Sequence, residues 1–486
     1  MRNIVIVGGG IAGLAAGFYA QKKGRGTFQI TLLEQANYWG GKIVTERVTS
    51  PDFAGDFVIE GGPDTFVVTK PWAVRLCKEL GITERLKGTN PEIKKTYILK
   101  KNRLHELPGG LTMMIPTEFG PMIRSGLLSW SAKARMGLDF LLPVAQKNGD
   151  ETIGAFVSRR LGRAAYENLI EPLMSGIYAG DGDQLSLAST FPYLRELEQE
   201  HGGLVKGALA LRRVRLQKER ANKKDSNPSP GTRSIFLTPM LGLAEMVEAL
   251  VNNLQESGVE LRLETAVKGI SPAPTGYELL LADGSSITAD GVVLATPSFI
   301  SADLVNGFAA NLAEELRPIE YVSTATVTLA YRESDLPRPL DGYGYVIPRR
   351  EGRKALACTW TSTKFPHRAP EGFALLRVFI GRAGQEDHIS WDNRALLDIA
   401  KEELRLTLGI TAKPLINRIF LWEKAMPQYV LGHTQRLQRI DDQLKNYPAL
   451  ALAGNAYQGI GIPDCINSGE QAAERLMSSI QEIHKA

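Results

Sequence analysis

The chain has 486 residues, more than one hydrophobic core usually supports, so two or three domains are expected. Its 43% apolar and 23% charged residues are ordinary for a globular protein, and 57 basic against 53 acidic side chains leave a net charge of +4, too small a surplus for a nucleic-acid binder. Three cysteines (Cys77, Cys358, Cys465) and six scattered histidines show no ligand or pairing pattern, so neither a disulfide framework nor a metal is implied, and a reducing compartment is the default.

The first element is a β-branched strand, Ile4–Val7, running into Gly8-Gly9-Gly10-Ile11-Ala12-Gly13. Gly8, Gly10 and Gly13 hold the G-x-G-x-x-G spacing of a dinucleotide fold. Gly8 permits the tight turn, Gly10 lets the backbone approach a pyrophosphate, and Gly13 lets the helix lie against the strand. That helix, Leu14 to about Lys23, points its N-terminus and unpaired N–H groups at the phosphates. A second strand, Phe28–Leu33, ends at Glu34, with Gln35 beside it. An acid about 20 residues past the glycines is placed to accept the ribose hydroxyls of adenosine. Two glycine turns follow, Trp39-Gly40-Gly41-Lys42 and Glu60-Gly61-Gly62-Pro63-Asp64-Thr65.

From Pro71 to about Leu216 the pattern is mainly helical, at 72–81, 129–142 and 152–161, with a short hairpin at 97–100 and 103–107. The run Leu138–Pro143 reads as core, with a membrane surface as the alternative. Residues 217–234 are polar and Pro/Gly/Ser-rich, which predicts a mobile surface loop. Pro239–Ala244 opens a helix to about Ser257, and strands follow at 260–263 and 266–270. Val292-Val293-Leu294-Ala295-Thr296-Pro297 is a strand ending in a turn. Residues 300–420 alternate strands with a helix at 392–408, the pattern of an antiparallel sheet domain. The chain closes on Ala453-Gly454-Asn455, then Gly459-Ile460-Gly461-Ile462-Pro463-Asp464, and a helix from Cys465 to about His484. No run reaches the ~18 apolar residues of a membrane span. The strand starting at residue 4 leaves no room for a signal peptide, so a cytoplasmic location is expected.

The glycine turns and the Ala295-Thr296-Pro297 strand end, in this order, resemble the amine-oxidase-like flavoprotein superfamily. Glu167-Asn168-Leu169-Ile170-Glu171-Pro172-Leu173-Met174-Ser175-Gly176-Ile177-Tyr178-Ala179-Gly180-Asp181 resembles the protoporphyrinogen/coproporphyrinogen oxidases more specifically. Met426–Tyr429, Ala357–Thr361, Phe365–His367 and Gly459–Ile466 extend that resemblance over nearly the whole chain. It is strongest to the soluble type of Gram-positive bacteria, whose substrate is coproporphyrinogen III.

The implied fold class is α/β. A discontinuous Rossmann-like FAD-binding domain (1–70, 235–299, 421–486) would be interrupted by a mainly helical domain (71–216), the loop 217–234 and an α+β substrate domain (300–420). The implied activity is six-electron oxidation of a porphyrinogen in haem biosynthesis, with noncovalent FAD as cofactor, dioxygen as acceptor and hydrogen peroxide released. Flavin N5 carries the chemistry, so no catalytic acid–base residue is required. The resemblance assigns Gly8, Gly9, Gly10, Ile11, Ala12, Gly13, Glu34, Gln35, Gly41, Lys42, Gly62, Pro63, Asp64, Thr65, Val267, Trp422, Gly454, Gly461 and Ile462 to the cofactor. It assigns Lys70 to a substrate propionate, Gly176 and Ile177 to the macrocycle face, and Tyr429 to the cavity border. Implied partners are the porphyrinogen, dioxygen, a peripheral membrane contact and hand-off to the next haem-pathway enzyme. Two departures stand out. Gly61 replaces an arginine common in relatives, and Lys42 replaces an arginine, losing its planar fork. A protoporphyrinogen IX oxidase, a flavin amine oxidase, a carotenoid desaturase and a binding-only flavoprotein remain as alternatives.

Overall fold

Short apolar strands separated by helices build the first layer. The computed structural model describes residues 2–49, 51, 53–109, 111–112, 114–145, 149–222, 234–386 and 389–483. In it β1 (Arg2–Val7), β2 (Phe28–Leu33), β3 (Glu260–Arg262), β4 (Gly291–Leu294) and β5 (Leu450–Leu452) form one parallel sheet. The order is β3-β2-β1-β4-β5. Connections leave β1 and β4 in opposite directions, so the carboxyl ends of the two strands flank a crevice, the place where such sheets bind ligands. Ile4 to Val7 and all of β4 are buried, as central parallel strands must be.

Helices α1 (Ile11–Lys23) and α2 (Ile462–Ile483) cover one face together with the helix Ala244–Glu256. Leu14, Leu32, Leu250, Ile466 and Leu476 share that core. The two labelled helices touch backbone to backbone, because a Cβ at Gly469 would overlap the Ala12 carbonyl oxygen. On the other face Val5, Val7 and Leu294 pack on Ala302, Val305, Leu312 and Leu316. The nucleotide-side core therefore runs to Ile319, past the domain change expected at 300. Two short helices, Ser298–Val305 and Ala310–Leu316, turn their apolar stripes to that sheet.

A seven-stranded sheet forms the second layer, in the order Ile416–Pro427, Tyr321–Arg332, Phe373–Ile380, Ala355–Trp360, Gly344–Val346, Tyr97–Lys100, Arg103–Glu106. Its last two strands are the hairpin of the helical zone, docked through parallel pairing of Tyr345 and Val346 with Tyr97 and Ile98. Its first strand runs through the boundary expected between 420 and 421.

The helical part packs around Phe156, Leu169, Met174 and Leu194. A π-turn, Tyr166–Ile170, leads into the helix Glu171–Tyr178. The helix Leu204–Asn222 includes 217–222, the first part of the expected loop, and 223–233 lie outside the described residues. The segment Leu216 to Ala221 is made of strong helix formers, so its polarity did not mean loop. Pro239 closes a strand, Phe236–Pro239, and the following helix starts only at Ala244. The core reading of 138–143 also changes. Asp139 and Phe140 turn inward, whereas Leu141 is 81% exposed and Trp130, on the preceding helix, 71%. No helix among the described residues is long and apolar enough to cross a membrane.

Candidate active site

The glycine loop lies at the crevice between β1 and β4. Gly8 adopts φ +110°, and a Cβ there would meet the Ala295 carbonyl oxygen of the β4 turn at 2.8 Å. At Gly13 a Cβ would overlap the Gly8 carbonyl oxygen, so α1 descends directly onto the loop. Gly10 differs. It caps α1, yet a Cβ on it would meet nothing within 4 Å. The backbone there borders open space at a helix N-terminus, the surroundings a pyrophosphate needs. Ile11 and Ala12 are the buried first residues of α1.

Glu34 closes this loop. Its carboxylate accepts from the Gly9 N–H at 2.6 Å and the Ala36 N–H at 2.8 Å. Gln35 is exposed beside it. Across the gap Gly41 sits 3.2 Å (as a virtual Cβ) from the Gly10 Cα, and the Gly40 N–H donates to Gly9 O at 2.8 Å. A Cβ at Gly62 would overlap the Lys42 carbonyl oxygen, so the second glycine turn stacks on the first. Gly61 is glycine for a steric reason too, because a Cβ would lie 2.6 Å from the Phe420 ring.

Lys42 points inward. Its Nζ donates to Ala425 O at 2.6 Å, and burial pulls the ammonium down to about 8. Asp64 behaves oppositely. Burial pushes its carboxyl up, but Lys364 at 3.1 Å and Arg377 outweigh that and hold it at about 2. The Thr65 hydroxyl donates to the same carboxylate at 3.1 Å, and Pro63 completes the turn. Trp422 donates from Nε1 to Gly61 O at 2.9 Å. Val267 opens the strand Val267–Ala273 and packs on the core behind β4.

At the C-terminal end the Gly454 N–H donates to Ser468 Oγ at 3.0 Å, and a Cβ on Gly454 would again meet nothing within 4 Å. The Gly461 N–H donates to Asp464 at 3.3 Å, and Ile462 is the first, buried residue of α2. Lys70 is brought here from the N-terminal half. Its Nζ lies 2.6 and 2.7 Å from the two Asp464 oxygens, so its first partner is a carboxylate of the chain itself.

Gly176 and Ile177 lie on the helix Glu171–Tyr178; Ile177 is 48% exposed and Gly176 faces Val346. Tyr429 is placed differently from the expectation of a cavity border. It is fully buried, donates to Asn455 O at 2.6 Å, and stacks on the His433 ring at 4.2 Å. His433 is in turn 3.0 Å from Tyr457 O. The pair supports the 455–457 loop from beneath. Among the residues missed from sequence, Arg377 has the clearest signal, a lone charge inside the apolar strand Phe-Ala-Leu-Leu-Arg-Val-Phe-Ile.

The residues fit a bound flavin dinucleotide. Open glycine edges at 10 and 454, two helix N-termini and an acid on the loop surround one crevice. Comparison with known proteins agrees. The family description "Flavin containing amine oxidoreductase" matches residues 11–477. Coproporphyrinogen III oxidase of Bacillus subtilis (strain 168) is 36% identical, with 98% of each chain covered. The protein of the same name from Staphylococcus aureus (strain NCTC 8325 / PS 47) is 34% identical over 99% of this chain and 100% of that one. Protoporphyrinogen oxidase of Bos taurus is 30% identical over 98% of this chain and 99% of its own. A crystal structure of a provisionally named protoporphyrinogen oxidase from Exiguobacterium sp. 255-15 superposes with TM-score 0.84, at 33% identity and 99% coverage of both chains. The chain belongs to the flavin containing amine oxidoreductase family, and its cofactor is FAD.

Proposed function

We propose that this protein oxidises coproporphyrinogen III to coproporphyrin III, with dioxygen as the acceptor and hydrogen peroxide as the second product. One observation carries the reading. The match to proteins named coproporphyrinogen III oxidase covers nearly the whole chain, at 33–36% identity, while the protoporphyrinogen oxidases of plants and mammals stand at 26–30%.

When bound, FAD supplies the hydride-accepting ring for the successive two-electron steps. The chain's own residues bind and orient. In this reading the Gly8–Gly13 loop holds the pyrophosphate on the α1 N-terminus, and Glu34 takes the ribose hydroxyls while retaining its backbone donors. Lys42, Gly62–Thr65, Val267, Trp422, Gly454 and Gly461–Ile462 line the cofactor. Gly176 and Ile177 offer an apolar face to the macrocycle, and Lys70, anchored on Asp464, meets a propionate. A tetra-acid suits such a site only where each carboxylate finds water or a cation, because an unpaired buried carboxylate is costly. The exposed Trp130 and Leu141, with Lys133 4.6 Å from the Trp130 ring, support a peripheral membrane contact for taking up or handing on a sparingly soluble tetrapyrrole.

The test is aerobic turnover followed by porphyrin fluorescence, with coproporphyrinogen III and protoporphyrinogen IX in parallel against an enzyme-free control. The expected result is faster fluorescence growth with the tetra-acid, accompanied by peroxide. Equal or reversed rates would move the enzyme to the later substrate, and rates no faster than the control would refute the proposal.

A further inference from the structure

A buried polar cluster lies under the turn Gly61–Asp64, and the glycine motifs do not account for it. The Gly61 carbonyl oxygen accepts three hydrogen bonds: Thr326 Oγ1 at 2.8 Å, Trp422 Nε1 at 2.9 Å and Arg377 Nη2 at 3.2 Å. Arg377 also donates to Gly62 O. These donors come from three adjacent strands of the seven-stranded sheet, so the turn is bolted to the sheet's interior. Arg377 is 2% exposed, and burying a guanidinium that deep is costly unless its N–H groups are used.

Behind it is a cavity of about 10 Å³, bordered by Thr328, Thr361, Arg368 and Arg377 together with Glu60 and Asp64. Four polar atoms of those bordering residues have no protein partner: Thr328 Oγ1, Thr361 Oγ1, Arg368 Nη1 and Arg377 Nε. A space of roughly one water molecule with two to four polar neighbours is the usual seat of a structural water.

We infer that Arg377 is a positioning residue for the cofactor, and that one water in this cavity completes its hydrogen bonds. The inference rests on the flavin site proposed above. The route is short: Arg377 holds the carbonyls of Gly61 and Gly62, Gly62 packs on Lys42 O, and Gly41 packs on Gly10. If the guanidinium shifts, the cofactor face of both turns shifts with it.

The experiment compares melting temperatures of apo and FAD-loaded protein, FAD dissociation constants and flavin midpoint potentials. The variants are Arg377→Lys and the pair Thr328→Val with Thr361→Val. Arg377→Lys keeps the charge but not the fork, so FAD affinity falls about tenfold, the loss of one charged hydrogen bond, and the FAD-dependent rise in melting temperature shrinks. The threonine pair keeps Arg377 and weakens FAD binding about threefold, with a shifted potential, as expected for one lost water bridge. Equal losses in apo and loaded forms, with unchanged affinity and potential, would make Arg377 purely structural and overturn the inference. Should Arg377→Lys not fold, an unchanged affinity in the threonine pair would overturn it alone. Wild-type protein that gains no stability from FAD would refute the flavin reading, and this inference with it.

Discussion

On the proposed cofactor side, the glycine turns make the wall from backbone. Gly8, Gly13 and Gly62 are glycine because a Cβ would strike a carbonyl of a neighbouring turn, and Gly10 because its edge faces open space. On the proposed substrate side, the wall is side chains joined across the chain. Lys70 meets Asp464, and Glu171, on the helix that carries Gly176 and Ile177, accepts from the Arg349 N–H at 3.1 Å. At Gly8, Gly13 and Gly62 the first kind of wall has no room for an added atom. The second tolerates changes of shape and answers to charge and pH.

Single substitutions test that contrast. The largest effect on flavin binding is expected at the glycines. Gly13→Ala forces a methyl into the Gly8 carbonyl, a backbone contact that cannot yield, so it should destabilise the protein by about 1–3 kcal/mol or more and release the flavin. Gly10→Ala should leave the apo melting temperature unchanged while FAD affinity drops, since its methyl points only into the crevice. Calorimetry with FAD titration separates the two, and equal apo melting in both variants would break the comparison.

Next comes the helical part, whose charges are buried. Arg160 is 1% exposed, lies 2.6 Å from Asp139, and also donates to the carbonyls of Pro143 and Gly202. Removing one partner of such a pair leaves the other unpaired, so Arg160→Met should cost about 3–5 kcal/mol. FAD affinity should hold in protein that remains folded. An equal fall in affinity would mean that the two walls are coupled.

A smaller effect concerns acid. Burial, with Arg368 and Lys87 nearby, pulls His367 down to about 4. Between about 6.5 and 4 the unfolded chain binds a proton that the folded one refuses, so stability falls as pH drops through that window. His367→Gln should flatten this part of the stability–pH curve, measured by urea unfolding. An unchanged slope would assign the acid sensitivity elsewhere.

The smallest effect on stability is expected at Lys70, 45% exposed in its pair with Asp464. Lys70→Ala should cost no more than about 1 kcal/mol. Its kinetic effect should instead fall on the Michaelis constant for the tetra-acid, raised severalfold at unchanged kcat. An unchanged Michaelis constant would remove Lys70 from the substrate site.

The same contrast explains what could be read from sequence. Gly8 to Gly13, Glu34 and the strands around them are contiguous, and their spacing follows from local backbone geometry. Strand ranges such as Phe28–Leu33 matched to the residue. What sequence did not show depends on contacts between distant segments. The Lys70–Asp464 pair spans 394 positions, and the burial of Tyr429 depends on a loop that follows it. The hairpin at 97–106 joins a sheet whose other strands come more than two hundred residues later. Gln217 to Asn222 reads as loop because helical propensity without apolar periodicity looks like one until Leu204 and Val205 anchor the same helix in the core.

The most direct test of the flavin as acceptor for a porphyrinogen omits oxygen. FAD-loaded protein is mixed anaerobically with coproporphyrinogen III while the flavin absorbance near 450 nm is followed. The expected result is rapid bleaching, porphyrin formed in step with it, and recovery of the absorbance when air is admitted. A flavin that stays oxidised in the presence of excess porphyrinogen would contradict it.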